Sequence, residues 1–163
     1  MQERRADHAK RKRVAEMSPE EMRRELLVSE KTGLPNRRAF DESDPSPYLA
    51  MCDVDGLKEL NDKFGYGAGD TLIKRVADAL TRFDLDAYHD KGDEFLIKGR
   101  SFSELNRKLL EAEKELKGPF TVHSMSGRVI TVEGARFSFG IGTNLKQAEV
   151  SLKHQKELRK IDR

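Results

Sequence analysis

Leu85-Asp86-Ala87-Tyr88-His89-Asp90-Lys91-Gly92-Asp93-Glu94-Phe95-Leu96-Ile97-Lys98 is the stretch on which the fold turns. Leu85 to His89 and Phe95 to Lys98 read as two short strands, joined by a tight turn at Asp90-Lys91-Gly92-Asp93. A turn of that length closes only an antiparallel pair. Upstream, Tyr48 to Cys52 is a continuous apolar run, suited to a strand buried on both faces, and it ends at Asp53-Val54-Asp55-Gly56. Leu57, Leu60 and Phe64 follow at helical spacing. A glycine-rich loop from Gly65 to Asp70 comes next, then a helix with Leu72, Ile73, Val76, Leu80 and Phe83 on one face.

Downstream, Ser101-Phe102-Ser103-Glu104 has the form of a capping box. It opens a helix that buries Phe102, Leu105, Leu109, Ala112 and Leu116 and stops at Gly118-Pro119. Thr121 to Met125 and Val129 to Val132 suit an edge hairpin, Arg136 to Ile141 a strand, and Leu145 to about Lys160 a last helix. Near the start, Ser18-Pro19-Glu20-Glu21 caps a helix whose buried stripe would be Met22 and Leu26. The order is β-α-β-β-α-β with an added hairpin and flanking helices. That order predicts an α+β fold with a mixed central sheet and helices packed on it.

Charged residues make up 37% of the 163, yet they nearly cancel at +2, so the chain as a whole gives no case for nucleic acid or an anionic membrane. Any basic site must be local. Residues 1–30 form a basic, helical extension; six Lys or Arg lie in the first 17, including Arg4, Arg5 and Lys10 to Arg13. It reads as a solvated arm or as one that binds a partner. Cys52 stands alone within an apolar run, which fits a reducing cytoplasm, and no apolar run reaches the roughly 20 residues of a membrane helix.

The chemistry gathers on acids. Asp53 and Asp55 end a buried strand, and Asp93 and Glu94 sit on the hairpin turn. Either pair alone reads as a turn or cap. In a sheet of this order the first strand lies beside the hairpin, so the four carboxylates converge. Like charges that close require a proton or a cation among them. Mg²⁺ takes one or two carboxylates and leaves its other positions to water and phosphate, which points to metal-assisted phosphoryl chemistry. His8, His89, His123 and His154 show no metal-ligand spacing.

Six blocks occur in order: Thr32-Gly33-Leu34-Pro35-Asn36-Arg37, Asp53-Val54-Asp55-Gly56-Leu57-Lys58, Asn61-Asp62-Lys63-Phe64-Gly65, Gly69-Asp70, Gly92-Asp93-Glu94-Phe95 and Phe137-Ser138-Phe139-Gly140-Ile141-Gly142. Together they resemble the motifs of GGDEF domains, the diguanylate cyclases, over about residues 32–160, within an expected domain of residues 31–163. The resemblance implies a palm-like, ferredoxin-like βαββαβ core. It also implies a facing homodimer in which two GTP condense to cyclic di-GMP, each 3′-hydroxyl attacking the other α-phosphate. Carried over, Asp53, Asp93, Glu94 and the Val54 carbonyl would bind Mg²⁺ (or Mn²⁺). Asp93, Glu94 and Lys58 would serve catalysis, with Glu94 either a second metal ligand or an aid to deprotonation. Gly56, Leu57 and Lys58 would hold terminal phosphates at a helix start. Gly92 would lie against the substrate. Lys156 and Lys160 would meet the triphosphate, and Asn61 and Asp70 would read guanine. The plainer alternatives are a helix-surface Asn61, an Asp70 that caps the following helix, and solvated lysines.

The chain departs from the family at several places. Lys91 stands where the first glycine of the central motif belongs; its ammonium either stabilises transferring charge or pairs with Asp93 and obstructs the nucleotide. The product-inhibition motif Arg-x-x-Asp would run from Arg82 to position 85, which is Leu85, so that site is expected to be absent. The last helix carries Arg159-Lys160 in place of Gly-Arg-Asn. Besides a cyclase, two further readings stand: an impaired module that holds GTP or cyclic di-GMP, and an adaptor that uses the basic arm.

Overall fold

The computed structural model of the chain describes residues 12–161; Arg4, Arg5, Lys10 and Arg11 of the basic arm, and His8, lie outside them. The described strands are, in chain order, Tyr48–Asp55 (β1), Asp86–Lys91 (β2), Glu94–Gly99 (β3), Phe120–His123 (β4), Val129–Val132 (β5) and Arg136–Gly142 (β6). The described helices of more than one turn are Pro19–Leu27 (α1), Arg37–Glu42 (α2), Leu57–Phe64 (α3), Tyr66–Arg82 (α4), Phe102–Leu116 (α5) and Leu145–Ile161 (α6). The hairpin falls where its sequence places it, with Gly92 turning the chain at φ +51°.

The expected βαββαβ core is present, but its sheet is antiparallel throughout rather than mixed. The strand order is β2-β3-β1-β6, and each neighbouring pair runs antiparallel. The reason is the split crossover. α3 and α4 carry the chain from β1 to β2, with β3 between those strands. The path through α5 from β3 to β6 skips β1 in the same way. Parallel strands are therefore never neighbours. β4 and β5 form their own two-stranded sheet, not an edge of the central one.

β1 alternates as a central strand with two covered faces must. Ala50, Cys52 and Val54 enter the main core with Leu72, Ile73, Val76 and Leu80 of α4 and Leu105, Leu109, Ala112 and Leu116 of α5. Burial pushes the Cys52 thiol far up from its ordinary pKa, so it acts as a small apolar filler. Leu49 and Met51 face the other way, onto a smaller cluster of Phe40, Tyr88 and Leu96. α6 packs on that side. Gly140, the register partner of Met51, has no room for a Cβ, which would stand 2.2 Å from the Leu152 nitrogen and 2.4 Å from the Ala148 carbonyl.

Three local expectations are corrected. The glycine-rich loop is almost all helix: α4 begins at Tyr66, so Gly67, Gly69 and Asp70 lie inside its first turns. Asp70 is thus no N-cap. α1 has its capping box at Ser18 but buries nothing, and Leu26 is 53% exposed. Phe102 is exposed and meets Tyr48 edge-on at 6.1 Å, while the Ser101 cap is half a box, since Glu104 turns to Lys108 at 3.3 Å. Among the described residues no helix is long and apolar enough to cross a membrane.

Candidate active site

The two-residue period of β1 puts Asp53 and Asp55 on the face that α6 covers. Asp53 is paired in register with Glu94 of β3, and the Val54 N–H donates to the Asp93 carbonyl at 2.9 Å. The strand order thus brings Asp53 beside Asp93 and Glu94, while Asp55 turns to Ser138 and Arg159 instead of joining them. The Asp53 and Asp93 carboxyl groups lie side by side and line one cleft. Burial, then that contact with Asp53, raises the Asp93 pKa above the ordinary carboxylate range. Burial and then Asp90 raise Glu94, with Lys91 opposing. Burial also raises Asp55, against hydrogen bonding from Ser138 and the charge of Arg159.

Cations close the cleft from α6. Lys156 donates to Asp53 Oδ2, and Lys160 lines the same 390 Å³ space with Val54, Gly56 and Asp93. Gly56 sits at φ +77° as the N-cap of α3 and offers no side-chain cap, so the first N–H groups of that helix end at the cleft without one. Leu57 and Lys58 follow on α3; Lys58 is exposed and neither lines the cleft.

Asn61 and Asp70 stand apart from the acids. Asn61 lies on α3 against α4, where a Cβ at Gly69 would fall 1.9 Å from its Oδ1. That oxygen is buried with no partner, a state that costs about 1–3 kcal/mol. Asp70, half exposed, meets Lys31 at 3.2 Å and borders a separate 690 Å³ groove. Lys91 is exposed across the hairpin from Glu94, and among the described residues no ion pair joins it to Asp53 or Asp93.

Three side chains in the cleft escaped the sequence reading: Arg136, Ser138 and Arg159. Ser138 donates to both Asp55 oxygens, at 3.2 and 3.1 Å. Arg159 donates to Asp55 at 3.3 Å and to Glu113 at 2.9 Å. Its signal was its spacing, three residues after Lys156 and so on the same helix face.

The acids fit a hard cation. Their donors are all oxygen, and Asp53 and Asp93 line one cleft in which a cation would relieve their repulsion. Among the described residues no three His, Cys, Asp or Glu side chains are arranged to hold a metal ion alone. Substrate phosphate would have to complete the shell, as Mg²⁺ commonly requires.

The family model for the diguanylate cyclase GGDEF domain matches residues 28–144. The diguanylate cyclase VdcA of Vibrio cholerae is 34% identical over 86 residues, covering 47% of this chain and 25% of that protein. DgcZ of Escherichia coli is 36% identical over 78 residues, 40% of this chain and 26% of that one. The chain thus spans about a quarter of the length of these relatives. Among solved structures, the GGDEF domain of DgcB from Caulobacter crescentus, in complex with c-di-GMP, superposes with a TM-score of 0.70 at 23% identity, covering 90% of this chain and 94% of that one.

Proposed function

The chain belongs to the GGDEF-domain family of diguanylate cyclases, and from that premise we propose that it condenses two GTP into cyclic di-GMP across a homodimer. The observation that supports this most directly is the meeting of Asp53, Asp93 and Lys156 in one cleft beside the uncapped start of α3. A carboxylate pair, an ammonium and free backbone N–H groups are the complement of a metal-bound triphosphate.

Asp53, Asp93 and the Val54 carbonyl would hold Mg²⁺ or Mn²⁺. The ion, when bound, neutralises phosphate charge and polarises the phosphorus. Gly56, Leu57 and Lys58 receive the terminal phosphates at the α3 start, and Lys156 and Lys160 meet them from α6. Gly92 lets the turn approach the nucleotide closely. Asn61 and Asp70 take guanine: its N1–H and amine are donors that the Asp70 carboxylate accepts, and the Asn61 amide, now packed on Gly69, would turn outward to meet the base. The 3′-oxygen of one GTP then forms a bond to the α-phosphorus of the other. The α–β anhydride bond breaks and pyrophosphate leaves with its electron pair. Glu94 accepts the hydroxyl proton or serves as a further metal ligand. Repetition at the partner's cleft closes the ring.

Lys91 supports turnover over mere nucleotide holding, since its ammonium pairs with neither metal-binding aspartate. Residues 31–163 would be the cyclase unit, in the cytoplasm where GTP is, with residues 1–30 an arm for a second copy or another partner. The test is chromatography of products from GTP and Mg²⁺ or Mn²⁺ at high protein concentration. Cyclic di-GMP should form with the native chain and with Lys91→Gly, and not with Asp53→Ala. No dinucleotide above that control would end the proposal; guanine-nucleotide binding without turnover would leave the impaired module.

A further inference from the structure

Arg159 belongs to none of the roles above, yet it is the most heavily bonded side chain near the cleft. Its Nη1 donates to the Phe137 carbonyl at 3.0 Å, to Ser138 Oγ at 3.0 Å and to Asp55 Oδ2 at 3.3 Å. Its Nη2 donates to Glu113 Oε1 at 2.9 Å. The partners lie on β6, β1 and α5, so one guanidinium joins the last helix to both layers of the fold. The side chain is only 19% exposed and Glu113 only 10%. A planar fork held by that many acceptors leaves its own helix turn little freedom. That turn is flanked by Lys156 and Lys160.

We propose that Arg159 is the positioning residue of the phosphate cleft, holding the α6 turn and keeping Asp55 and Glu113 occupied so that Lys156 and Lys160 face the nucleotide. The inference rests on the reading of those lysines as triphosphate contacts. The charge arrangement gives it its mechanism. Asp55 and Glu113 are two carboxylates bound by one guanidinium, and breaking such a pair leaves uncompensated buried charge. The other cations near Asp55 are Lys156 and Arg136, and Arg136 stands 4.0 Å from Glu113. Lys156 has a flexible stem and Asp55 lies two residues from its present partner on the same strand face. Without Arg159, Lys156 turns from Asp53 to Asp55 within the cleft and no longer faces the nucleotide. Gln155 keeps the helix itself in place through the Phe139 N–H at 2.6 Å, so the damage is local.

The experiment measures binding of a non-hydrolysable GTP analogue with Mg²⁺ by calorimetry, together with melting temperature, on the full chain. Arg159→Met should weaken binding by about tenfold, the scale of one charge-assisted contact. Asp55→Asn alone should weaken it less than Arg159→Met does, and Arg159→Met with Asp55→Asn should recover most of the loss, because no carboxylate remains there to recruit Lys156. A purely structural arginine would show no such recovery. Unchanged binding in Arg159→Met, or a loss that Asp55→Asn does not relieve, overturns the proposal. Should Arg159→Met fail to fold, Arg159→Lys keeps the charge but loses the fork; it should fold and bind several-fold more weakly, and native binding by it overturns the proposal equally. Absence of analogue binding to the native chain would instead count against the proposed function itself.

Discussion

Asp53 and Asp93 line one cleft, with Glu94 in register beside Asp53, and folding raises the pKa of Asp55, Asp93 and Glu94 together. Each binds its proton more tightly folded than unfolded. Their stabilisation is complete below the unfolded carboxylate range and is lost as pH climbs through the folded values. The metal-free protein should therefore melt progressively lower from about pH 4 upward, and Asp93→Asn should flatten that decline while removing at least about a hundredfold of activity. A melting temperature that stays level over this interval would mean that Lys156 and Arg159 already compensate the acids. Gly69 makes a second test. Alanine there gains up to about 1 kcal/mol of helix propensity, but its Cβ displaces Asn61. Gly69→Ala should keep or raise the melting temperature while weakening GTP binding roughly tenfold, the scale of one lost buried contact. Unaltered binding would make Asn61 a packing residue. The acids were legible from sequence because a period of two needs no tertiary information. Arg159 was not, because its partners come from three separate elements and a charged terminal helix ordinarily faces water.

The elements themselves were legible where periodicity or a cap marks them, as at Ser18, along Leu72 to Leu80 and at the Gly92 turn. The glycines misled. Gly65, Gly67 and Gly69 look like a loop, whereas only Gly65 has a positive φ, at +94°, and Gly69 is small because Asn61 fills its space. Tertiary packing overrode propensity there. The mixed sheet was expected from interleaved strands and helices; which strand each crossover skips is a matter of chain path, not of local pattern. α6 rests on β6 by a similar demand for smallness. Gly140→Ala forces backbone apart from backbone and should cost about 1–3 kcal/mol by overpacking, read as a lower denaturant midpoint with unchanged slope. Because α6 carries both cleft lysines, activity should fall with it even where the variant remains folded. A full native rate would show that the helix tolerates being lifted.

For the whole molecule, one cleft would present a single GTP site under the proposed function, and the reaction needs two. The rate per subunit should rise with protein concentration and level off once dimers predominate; a rate independent of concentration over a wide range would point to a dimer that never dissociates or to a different reaction. Feedback should be weak. Leu85 packs on the core and Arg82 pairs with Glu115, so position 85 lacks the carboxylate of an Arg-x-x-Asp site, with Asp84 and Asp86 only flanking it. Tight non-competitive inhibition by cyclic di-GMP would contradict this. The cleft also has a history written in its chain order. Its acids lie between Asp53 and Glu94, while its lysines and its clamp come from a helix that begins only at Leu145. During synthesis the ribosome delivers the negative half long before the positive one. A nascent chain thus holds Asp53 and Asp93 without the lysine that later pairs with Asp53, and free Mg²⁺ in the cell is a counter-charge at hand until α6 arrives.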